Sequence, residues 1–354
     1  MHEPRGTTAS VAALPGLPPG VGAAGSLSAR LFNDSIGGFA VAAADELGLL
    51  DAIAEHGTVD REAYAQEHDL HPPSLRAVTD ALASAGVVAV AGDKVTGTTS
   101  FADVHATKGF FTWLLGGCGE LLRTAGAVGR TANRHGRFIQ RDATRISIGT
   151  ADFGARFIDP VFDAMLDRDP PTRMVDVGCG SGSRLISALR RHPHATAIGI
   201  DVAPAAVALA RARLVDAGLA DRAIVIEADV HDLEHRPEFA DVDFVCSFLM
   251  GHDFWPRERC VRVLDNLRRA FPALRSFALC DTYRSGRVPG TDLPILTLGF
   301  EHVHALMGQD LPTLDQWYEV FDETGWRVRH EYDLVLPPHS KIFHLTPDRG
   351  GDRR

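Results

Sequence analysis

The order of apolar and polar positions divides this chain of 354 residues into a helical part and a part in which strands and helices alternate. Residues 30–48 carry apolar side chains at helical spacing and predict one helix. Shorter helical patterns follow at 49–56, from 58 onward and from 72 onward, and residues 87–95 predict a hairpin. Three short helices and a hairpin together predict a winged helix at 29–105.

Residues 101–172 keep a helical pattern that glycines interrupt and in which arginines cluster. We interpret 106–172 as a helical linker that contributes to a substrate pocket. The first 28 residues, rich in Pro, Gly, Ala and Ser, predict a flexible leader. Residues 348–354 predict a tail. The clustered arginines are Arg130, Arg134, Arg137, Arg141 and Arg145.

After Arg173 the period changes, because short strand-like apolar runs alternate with helical segments. This alternation predicts an α/β domain with a parallel sheet at 173–347. The strand-like runs lie at 174–177, 197–200, 223–226, 244–248 and 276–279.

Composition narrows the possible functions. The 36 Lys and Arg against 46 Asp and Glu give a net charge of -10, which argues against binding to a phosphate backbone. No apolar run approaches the roughly 18 residues of a membrane span. The five cysteines lack CxxC spacing and predict neither a disulfide framework nor a structural zinc site. We therefore expect a cytoplasmic protein that acts on a small molecule, with no nucleic-acid or membrane partner.

A glycine-rich loop follows the first predicted strand, with Gly178, Gly180 and Gly182 after Asp176. Glycines let the backbone turn tightly and approach a ligand, while N–H groups at the start of the next helix face its polar part. Asp201 ends the second strand 25 residues after Asp176, where a carboxylate accepts hydrogen bonds from ribose hydroxyls. A dinucleotide and S-adenosylmethionine both satisfy these features.

The spacing favours S-adenosylmethionine. A dinucleotide motif has its third glycine inside the helix, which this loop lacks. The third strand ends near Asp229, which puts a second carboxylate where an adenine amino group lies. In these features residues 173–347 resemble the class I S-adenosylmethionine-dependent methyltransferases. The resemblance implies a Rossmann-like α/β fold and donor contacts at Val230 and Ser247.

The fourth strand leads into His252 and Asp253. Ligands bind beyond the carboxyl ends of strands in open α/β sheets, so both side chains are predicted beside the donor's methyl group. A winged helix followed by this His-Asp-aromatic run resembles the small-molecule O-methyltransferases of plants and bacteria. In those enzymes the matching histidine deprotonates a phenol, so His252 would be a general base.

A helix is predicted from Pro294 to Gly308, with a polar stripe beside its apolar one. Glu301 and His304 share the polar stripe, whereas His302 points nearly opposite His304. Two surface histidines are one explanation. The other is that His304, or alternatively His302, is a metal ligand, with Glu301 as a third ligand, a surface acid or, as we favour, the hydrogen-bond partner of His304.

Three segments, at 138–142, 249–260 and 297–308, together resemble the metal-dependent 2-oxo acid C-methyltransferases of peptide-antibiotic pathways, typified by phenylpyruvate C3-methyltransferase. The segments read FIQRD, LMGHDFWPRERC and TLGFEHVHALMG, and the resemblance covers 31–343. It implies an intertwined homodimer built through the N-terminal helices, so that the domain at 29–105 is also the dimerisation domain.

The same resemblance implies a role for each site residue. His252 and His304 would ligate one non-haem metal ion, iron or zinc. Arg141 would grip the substrate carboxylate, and Asp253 would be the acid beside the metal. Two wall side chains, Cys118 and Leu249, differ from those of the phenylpyruvate enzyme. The substrate is therefore either an aryl or a branched aliphatic 2-oxo acid. The wall positions are Trp113, Cys118 and Leu249.

The chemistry supports these roles. Two histidines alone bind a metal weakly, and a 2-oxo acid can complete the coordination with its carboxylate and keto oxygens. The cation would stabilise the enolate left when a C3 proton departs to Asp253, or to a metal-bound hydroxide that Asp253 orients. C3 would then attack the sulfonium methyl in line. The sequence therefore predicts β-methylation of a 2-oxo acid for a β-methyl amino acid. Two alternative functions stay open. One is metal-independent O-methylation with His252 as base, and the other is a non-catalytic module that senses S-adenosylmethionine and binds DNA or a partner.

Overall fold

The computed structural model describes residues 20–134, 141–286 and 293–348. The chain divides into two compact units between Val104 and His105, and we describe each by itself. The helical segment that we interpreted as a linker belongs to the second unit. None of the helices in the described ranges is long and apolar enough to cross a membrane.

The first unit contains four helices and a three-stranded antiparallel sheet. One expectation is corrected at its start: the helix expected from 58 onward begins at Arg61, because residues 58–60 form a strand in which Val59 pairs with Val95. The Asp60 carboxylate then caps the next helix by accepting two backbone N–H groups. The elements are α1 (Leu27–Glu46), α2 (Leu49–His56), β1 (Thr58–Asp60), α3 (Arg61–Glu67), α4 (Pro72–Ser84), β2 (Val88–Ala91) and β3 (Lys94–Gly97), with sheet order β1-β3-β2.

The next segment is helical, as the pattern predicts, but contains two π-helical turns. A helix at 143–153 crosses the first turn at glycines: a Cβ on Gly149 would lie 2.5 Å from the Gly109 carbonyl oxygen and 2.7 Å from the Trp113 nitrogen. Only glycine permits this approach, which fixes the backbone of Trp113. The elements are α5 (Phe101–Phe111), a π-helical turn (Thr112–Gly117), α6 (Gly119–Arg123), α7 (Ala125–Val128), α8 (Ala143–Phe153), a second π-helical turn (Gly154–Ile158) and α9 (Asp159–Arg168).

A seven-stranded sheet forms the centre of the second unit, and all five predicted runs are strands in it. Two further strands close the sheet in antiparallel orientation, and the sequence analysis missed them. The strands are β4 (Arg173–Val177), β5 (Thr196–Asp201), β6 (Ala223–Glu227), β7 (Phe244–Phe248), β8 (Ser276–Thr282), β9 (Trp326–Asp333) and β10 (Ser340–Pro347), in the order β6-β5-β4-β7-β8-β10-β9. The helices between them are α10 (Ser183–Arg191), α11 (Pro204–Asp216), α12 (Arg257–Ala270), α13 (Thr297–Met307) and α14 (Leu314–Glu323).

Both faces of the sheet are covered. Met174 and Phe244 point into one hydrophobic core, and Val175 and Val245 point into the other, as the alternation along a strand requires. The strand order reverses between β4 and β7, so the carboxyl ends of these strands open a crevice. The glycine-rich loop follows β4 and His252 follows β7, which places both at this crevice.

The chain ends differ slightly from expectation. The helix α1 begins at Leu27, inside the predicted leader, and the Ser26 hydroxyl caps it by accepting from the Ala29 N–H. Asp348 belongs to the fold rather than to a tail, since its N–H donates to the Gly325 carbonyl at 2.8 Å. The rest of the predicted leader, 1–19, and of the tail, 349–354, lies outside the described residues.

Candidate active site

The loop after β4 has the conformation that its glycines predict. Gly178, Gly180 and Gly182 have φ of +78°, +52° and +74°, in the left-handed region that favours glycine. The Gly180 N–H donates to the Asp201 carboxylate at 2.9 Å, and the Gly178 N–H donates to the Ile200 carbonyl at 2.8 Å. These bonds join the loop to the end of β5. The glycine-rich loop and the Asp201 carboxylate therefore lie together at the crevice.

Asp176 lies directly before this loop and is almost completely buried. Burial raises the pKa of its carboxyl group to about 6, although the Arg184 charge acts in the opposite direction. The Cys246 thiol donates to one of its oxygens at 3.6 Å. Asp176 is therefore a group that exchanges its proton near neutral pH.

The other predicted donor residues lie on the neighbouring strands. Asp229 follows β6 and caps a short 3-10 turn at Val230–Asp232 by accepting from the His231 N–H at 2.9 Å. Ser247 lies in β7 with a buried hydroxyl that has no hydrogen-bond partner within the described part of the chain. Asp229 therefore belongs to the β6 side of the crevice and Ser247 to the β7 side.

His252 lies in a 3-10 turn, Gly251–Phe254, directly after β7, and it is buried. Its Nδ1 is 2.7 Å from Oδ1 of Asp281, a fully buried carboxylate in β8. Burial lowers the pKa of His252, but the charge and hydrogen bond of Asp281 outweigh burial and raise it. Asp281 thus fixes the orientation of the ring and leaves Nε2 as its second nitrogen.

His304 lies on α13 and is 1% exposed. Its Nδ1 is 2.7 Å from the carbonyl oxygen of Phe300, one turn earlier on the helix. Burial, the neighbouring His252 and Arg141 hold its pKa well below the usual value, so the ring is neutral. Its Nε2 is buried and has no hydrogen-bond partner among the described residues.

The two imidazoles meet. Their ring centroids are 4.9 Å apart at an interplanar angle of 87°. Phe300 lies against both rings, at 5.4 Å from His252 and 4.2 Å from His304. Trp113 stacks on His304 at 6.2 Å. Two nitrogen donors from distant segments therefore share one buried aromatic enclosure.

Comparison with known proteins identifies the family. Residues 174–272 match the family model described as a methyltransferase domain. The methyltransferase ungE' of Aspergillus campestris (strain IBT 28561) is 41% identical over 327 residues, which are 90% of this chain and 96% of the relative. The chain belongs to the S-adenosylmethionine-dependent methyltransferases.

Two further similarities agree with this. The indolepyruvate C-methyltransferase of Streptomyces griseus is 28% identical to this methyltransferase over 321 residues, covering 88% of this chain and 92% of the relative. The SAH-bound structure of CalO1, a methyltransferase in calicheamicin biosynthesis, superposes with a TM-score of 0.59 at 20% identity, over 90% of this chain and 98% of that one. The predicted class I methyltransferase fold, with its helical N-terminal region, and the predicted donor are confirmed.

Arg141 is close enough to the imidazoles of this methyltransferase to influence the pKa of both. No ion pair to its guanidinium is present in the part of the chain that the structure describes. The rest of the segment that carries its resemblance, 138–140, lies outside the described residues, as does Arg137. A cation without a protein counter-ion beside two imidazoles suits an anionic substrate.

Asp253 and the wall residues also lie at this end of the methyltransferase. The Asp253 carboxylate accepts a hydrogen bond from the Gln309 side-chain amide. Leu249 is held at a φ of +56°, a conformation that is strained for this residue type. Cys118 is fully buried, and burial raises the pKa of its thiol to about 11. Cys118 is therefore an inert packing residue rather than a reactive thiol.

Two expectations for α13 are corrected. The helix begins at Thr297 rather than at Pro294. Glu301 does not pair with His304: it accepts from the Ser285 N–H at 2.7 Å, while His304 uses the Phe300 carbonyl. Since a backbone carbonyl one turn earlier is already within reach of His304 Nδ1, the ring has no need of a carboxylate.

The sequence analysis missed two partners of the predicted residues, Asp281 and Gln309. Asp281 stands near the carboxyl end of a predicted strand, and an acid in an apolar run was a usable signal. Gln309 follows the predicted helix end and carried no signal. Within 20–134, 141–286 and 293–348, no three His, Cys, Asp or Glu side chains come together as metal ligands.

Proposed function

We propose that this methyltransferase transfers the donor's methyl group to C3 of a 2-oxo acid held by a metal ion, for β-methyl amino acid and peptide-antibiotic biosynthesis. One observation carries the proposal: the His252 and His304 rings lie edge to face, with centroids 4.9 Å apart, and the Nδ1 atom of each is already engaged. A histidine that acts only as a base needs no second buried imidazole beside it. The name of the Streptomyces griseus relative, an indolepyruvate C-methyltransferase, supports the same reaction class.

The donor set fits iron or zinc. Metal-binding histidines use one ring nitrogen for the metal and give the other to a carboxylate or backbone carbonyl. His252 has the carboxylate of Asp281, and His304 has the carbonyl of Phe300. The buried Nε2 of neutral His304 has no protein partner among the described residues, so a cation would satisfy it. When bound, the cation would supply Lewis acidity to the keto and carboxylate oxygens of the substrate.

The side chains around the imidazoles divide the remaining work. Arg141 binds the substrate carboxylate and orients C3 towards the donor. Asp253 takes a proton from C3, with its carboxylate oriented by Gln309. The electron pair at C3 then forms the new carbon–carbon bond as the carbon–sulfur bond of the sulfonium breaks. The products are the 3-methyl-2-oxo acid and S-adenosylhomocysteine.

The enclosure favours an aryl side chain on the substrate. Trp113 and Phe300 present stacked rings, 5.9 Å apart, next to the imidazoles. Aromatic faces gain about 0.5–1.5 kcal/mol from another aromatic ring beyond the area that they bury. We therefore expect phenylpyruvate or indolepyruvate to be preferred over 4-methyl-2-oxopentanoate, in a screen that measures methylated product by mass spectrometry.

The test of the metal uses two histidines of one helix. His304→Ala should lose the metal, measured by elemental analysis, and lower kcat/KM with phenylpyruvate by at least about 1,000-fold, because Lewis-acid stabilisation contributes several kcal/mol. His302→Ala is the matched control, because His302 is exposed on the same helix. This variant should keep both the metal and the wild-type kcat/KM. Wild-type protein should also exchange C3 hydrogen for deuterium in the absence of donor. A fully active enzyme without metal would exclude the proposal.

A second candidate reaction is O-methylation of a phenol without metal. The observation in its favour is the His252–Asp281 pair, which is an oriented base whose pKa is raised. This candidate predicts that chelators leave activity unchanged and that His304→Ala is mild. The elemental analysis and the His304→Ala variant therefore separate the two reactions.

We also propose that the enzyme is a cytoplasmic homodimer that pairs through α1. This helix exposes apolar side chains over three turns, which is unusual for a surface that faces water alone. All five cysteines are buried and unpaired, which supports a reducing compartment. Phe32→Glu, a change at the residue that is 70% exposed, should shift the mass in light scattering from dimer to monomer. The exposed side chains are Leu27, Leu31, Phe32, Ile36 and Phe39.

A further inference from the structure

Two short turns flank the donor crevice. The turn Val230–Asp232 follows β6 on the side that we predict to hold the adenine, and the turn Gly251–Phe254 follows β7 and carries His252. In the sheet, β5 and β4 lie between the two strands, so the turns have no strand pairing with each other. The turns touch through an edge contact between the rings of His231 and Phe254, whose centroids are 6.4 Å apart. A hydrogen-bonded connection between them passes through another element.

Arg259, in the first turn of α12, makes that connection. Its Nη2 donates to the backbone carbonyl of Asp253 at 2.6 Å and lies 3.0 Å from Nε2 of His231. Burial and the Arg259 charge lower the pKa of His231, so its ring is neutral and Nε2 accepts the hydrogen bond. One guanidinium nitrogen therefore joins a residue of the donor-side turn to a residue of the catalytic turn.

A neighbour on the same helix provides the comparison. Asn266 donates its side-chain N–H to the carbonyl of His231 at 3.0 Å. This bond anchors the donor-side turn to α12. Among the described residues the Asn266 side chain makes no hydrogen bond to the catalytic turn, whereas Arg259 bonds to both turns. Asn266 thus anchors only the donor-side turn, whereas Arg259 connects the two turns. Comparing variants of the two residues therefore distinguishes these roles.

We infer that Arg259 is a positioning residue that couples occupancy of the donor site to the geometry of the catalytic turn. When the adenosine end of the donor orders the donor-side turn, Arg259 transmits that order to the carbonyl of Asp253. The coupling adjusts His252 and Asp253 for the acceptor when the adenosine end of the donor, or of its demethylated product, occupies the donor site. The inference depends on the methyltransferase activity and not on the identity of the acceptor.

The test compares Arg259→Gln with Asn266→Ala, using S-adenosylhomocysteine as the probe. Calorimetry measures its Kd, and hydrogen–deuterium exchange with mass spectrometry follows the peptides around 229–233 and 250–255. In wild-type protein, saturating probe should slow exchange in both peptides. In Arg259→Gln the Kd should rise about ten-fold, the effect of one charge-assisted hydrogen bond. At saturation its first peptide should be protected but the second should not.

Asn266→Ala should raise the Kd by a few-fold and keep protection in both peptides. Arg259→Lys, which retains a cationic donor, should restore part of the protection at 250–255. Thermal unfolding of each variant checks that the fold is intact. If Arg259→Gln does not fold, Arg259→Lys takes its place in the comparison. Equal protection of 250–255 in wild-type and Arg259→Gln protein would overturn the inference. Loss of that protection in Asn266→Ala would overturn it too.

Discussion

The two halves of the crevice are built in different ways. The donor half is built around a backbone loop: three glycines with positive φ lie within five residues, and the Gly180 N–H joins the loop to the Asp201 carboxylate at the end of β5. The acceptor half consists of side chains from distant segments, His252, His304 and Trp113, brought together by packing. The conformation of the donor loop depends on a short glycine-rich segment, whereas the chemistry at the acceptor depends on where side chains converge.

Each half also contains one buried carboxyl group, and these groups differ in their partners. Asp281 of the acceptor half accepts from His252 and from the Thr282 N–H at 2.9 Å. Asp176 of the donor half accepts only a weak thiol bond from Cys246 within the described residues, and burial raises its pKa to about 6. Burial disfavours the charged form of a carboxyl group when few hydrogen bonds offset it, which is why the pKa of Asp176 is raised.

The largest expected effect is in the acceptor half. Asp281→Asn removes the charge that orients and supports the His252 ring, and such outer partners contribute about 10- to 100-fold to activity. We expect kcat to fall about 100-fold, while the Kd of S-adenosylhomocysteine stays unchanged because the donor half is untouched. Steady-state kinetics and calorimetry measure the two quantities. A donor Kd that rises together with the loss of kcat would show that Asp281 also acts on the donor site, in addition to orienting His252.

The next effect concerns stability and pH in the donor half. A carboxyl group whose pKa is raised in the folded state stabilises the fold below its unfolded pKa, and that contribution is lost as pH rises through the folded value. Asp176→Asn cannot ionise, so its free energy of unfolding should exceed that of wild-type protein by roughly 2 kcal/mol more at pH 7.5 than at pH 4. Urea unfolding without donor at both pH values measures this. Equal differences at the two pH values would contradict it.

A third test introduces one methyl group into the glycine loop. A Cβ on Gly178 would lie 2.0 Å from the sulfur of Met250, next to the catalytic turn, whereas a Cβ on Gly180 meets nothing within 4 Å. Both positions have positive φ, so the backbone strain is common to both variants. We expect Gly178→Ala to weaken binding of S-adenosylhomocysteine about ten-fold and Gly180→Ala to weaken it a few-fold. Equal losses would mean that Met250 moves freely.

The smallest expected effect is that of Glu301→Gln. Its carboxylate accepts from the Ser285 N–H and does not contact the His304 ring, and a glutamine oxygen can accept the same bond. We therefore expect kcat/KM with phenylpyruvate to change by less than about two-fold. A large loss in steady-state kinetics would place Glu301 among the groups that act on the substrate.

Sequence reasoning succeeded for elements whose pattern is local. The alternation after Arg173 predicted all five parallel strands, and the glycine spacing predicted the donor loop, because each depends on neighbours a few residues apart. It missed β9 and β10. The side chains of β9 are mostly exposed and polar, and β10 is buried on both faces without alternation, so neither presents a clear two-residue period.

The candidate site shows the same limit. His252, Asp253 and His304 were predicted from their motifs, and the structure brings them to one end of the sheet. The pairing of His304 was predicted incorrectly, since helical spacing places Glu301 near it but cannot tell which acceptor lies closer. Asp281 was not predicted as the partner of His252 because the two are joined only when β7 and β8 lie side by side.

The amino-acid sequence by itself determined the α/β class, the donor loop and the residue types available for the chemistry, since propensity and glycine conformation act over short distances. The tertiary structure decided which side chains meet: that His252 is bound to Asp281, that Nε2 of His304 has no hydrogen-bond partner among the described residues, and that Gly149 of α8 allows Trp113 to approach. Those outcomes depend on the register of strands and on helix crossings, where contacts between residues far apart in the chain are selected by close packing of the whole unit.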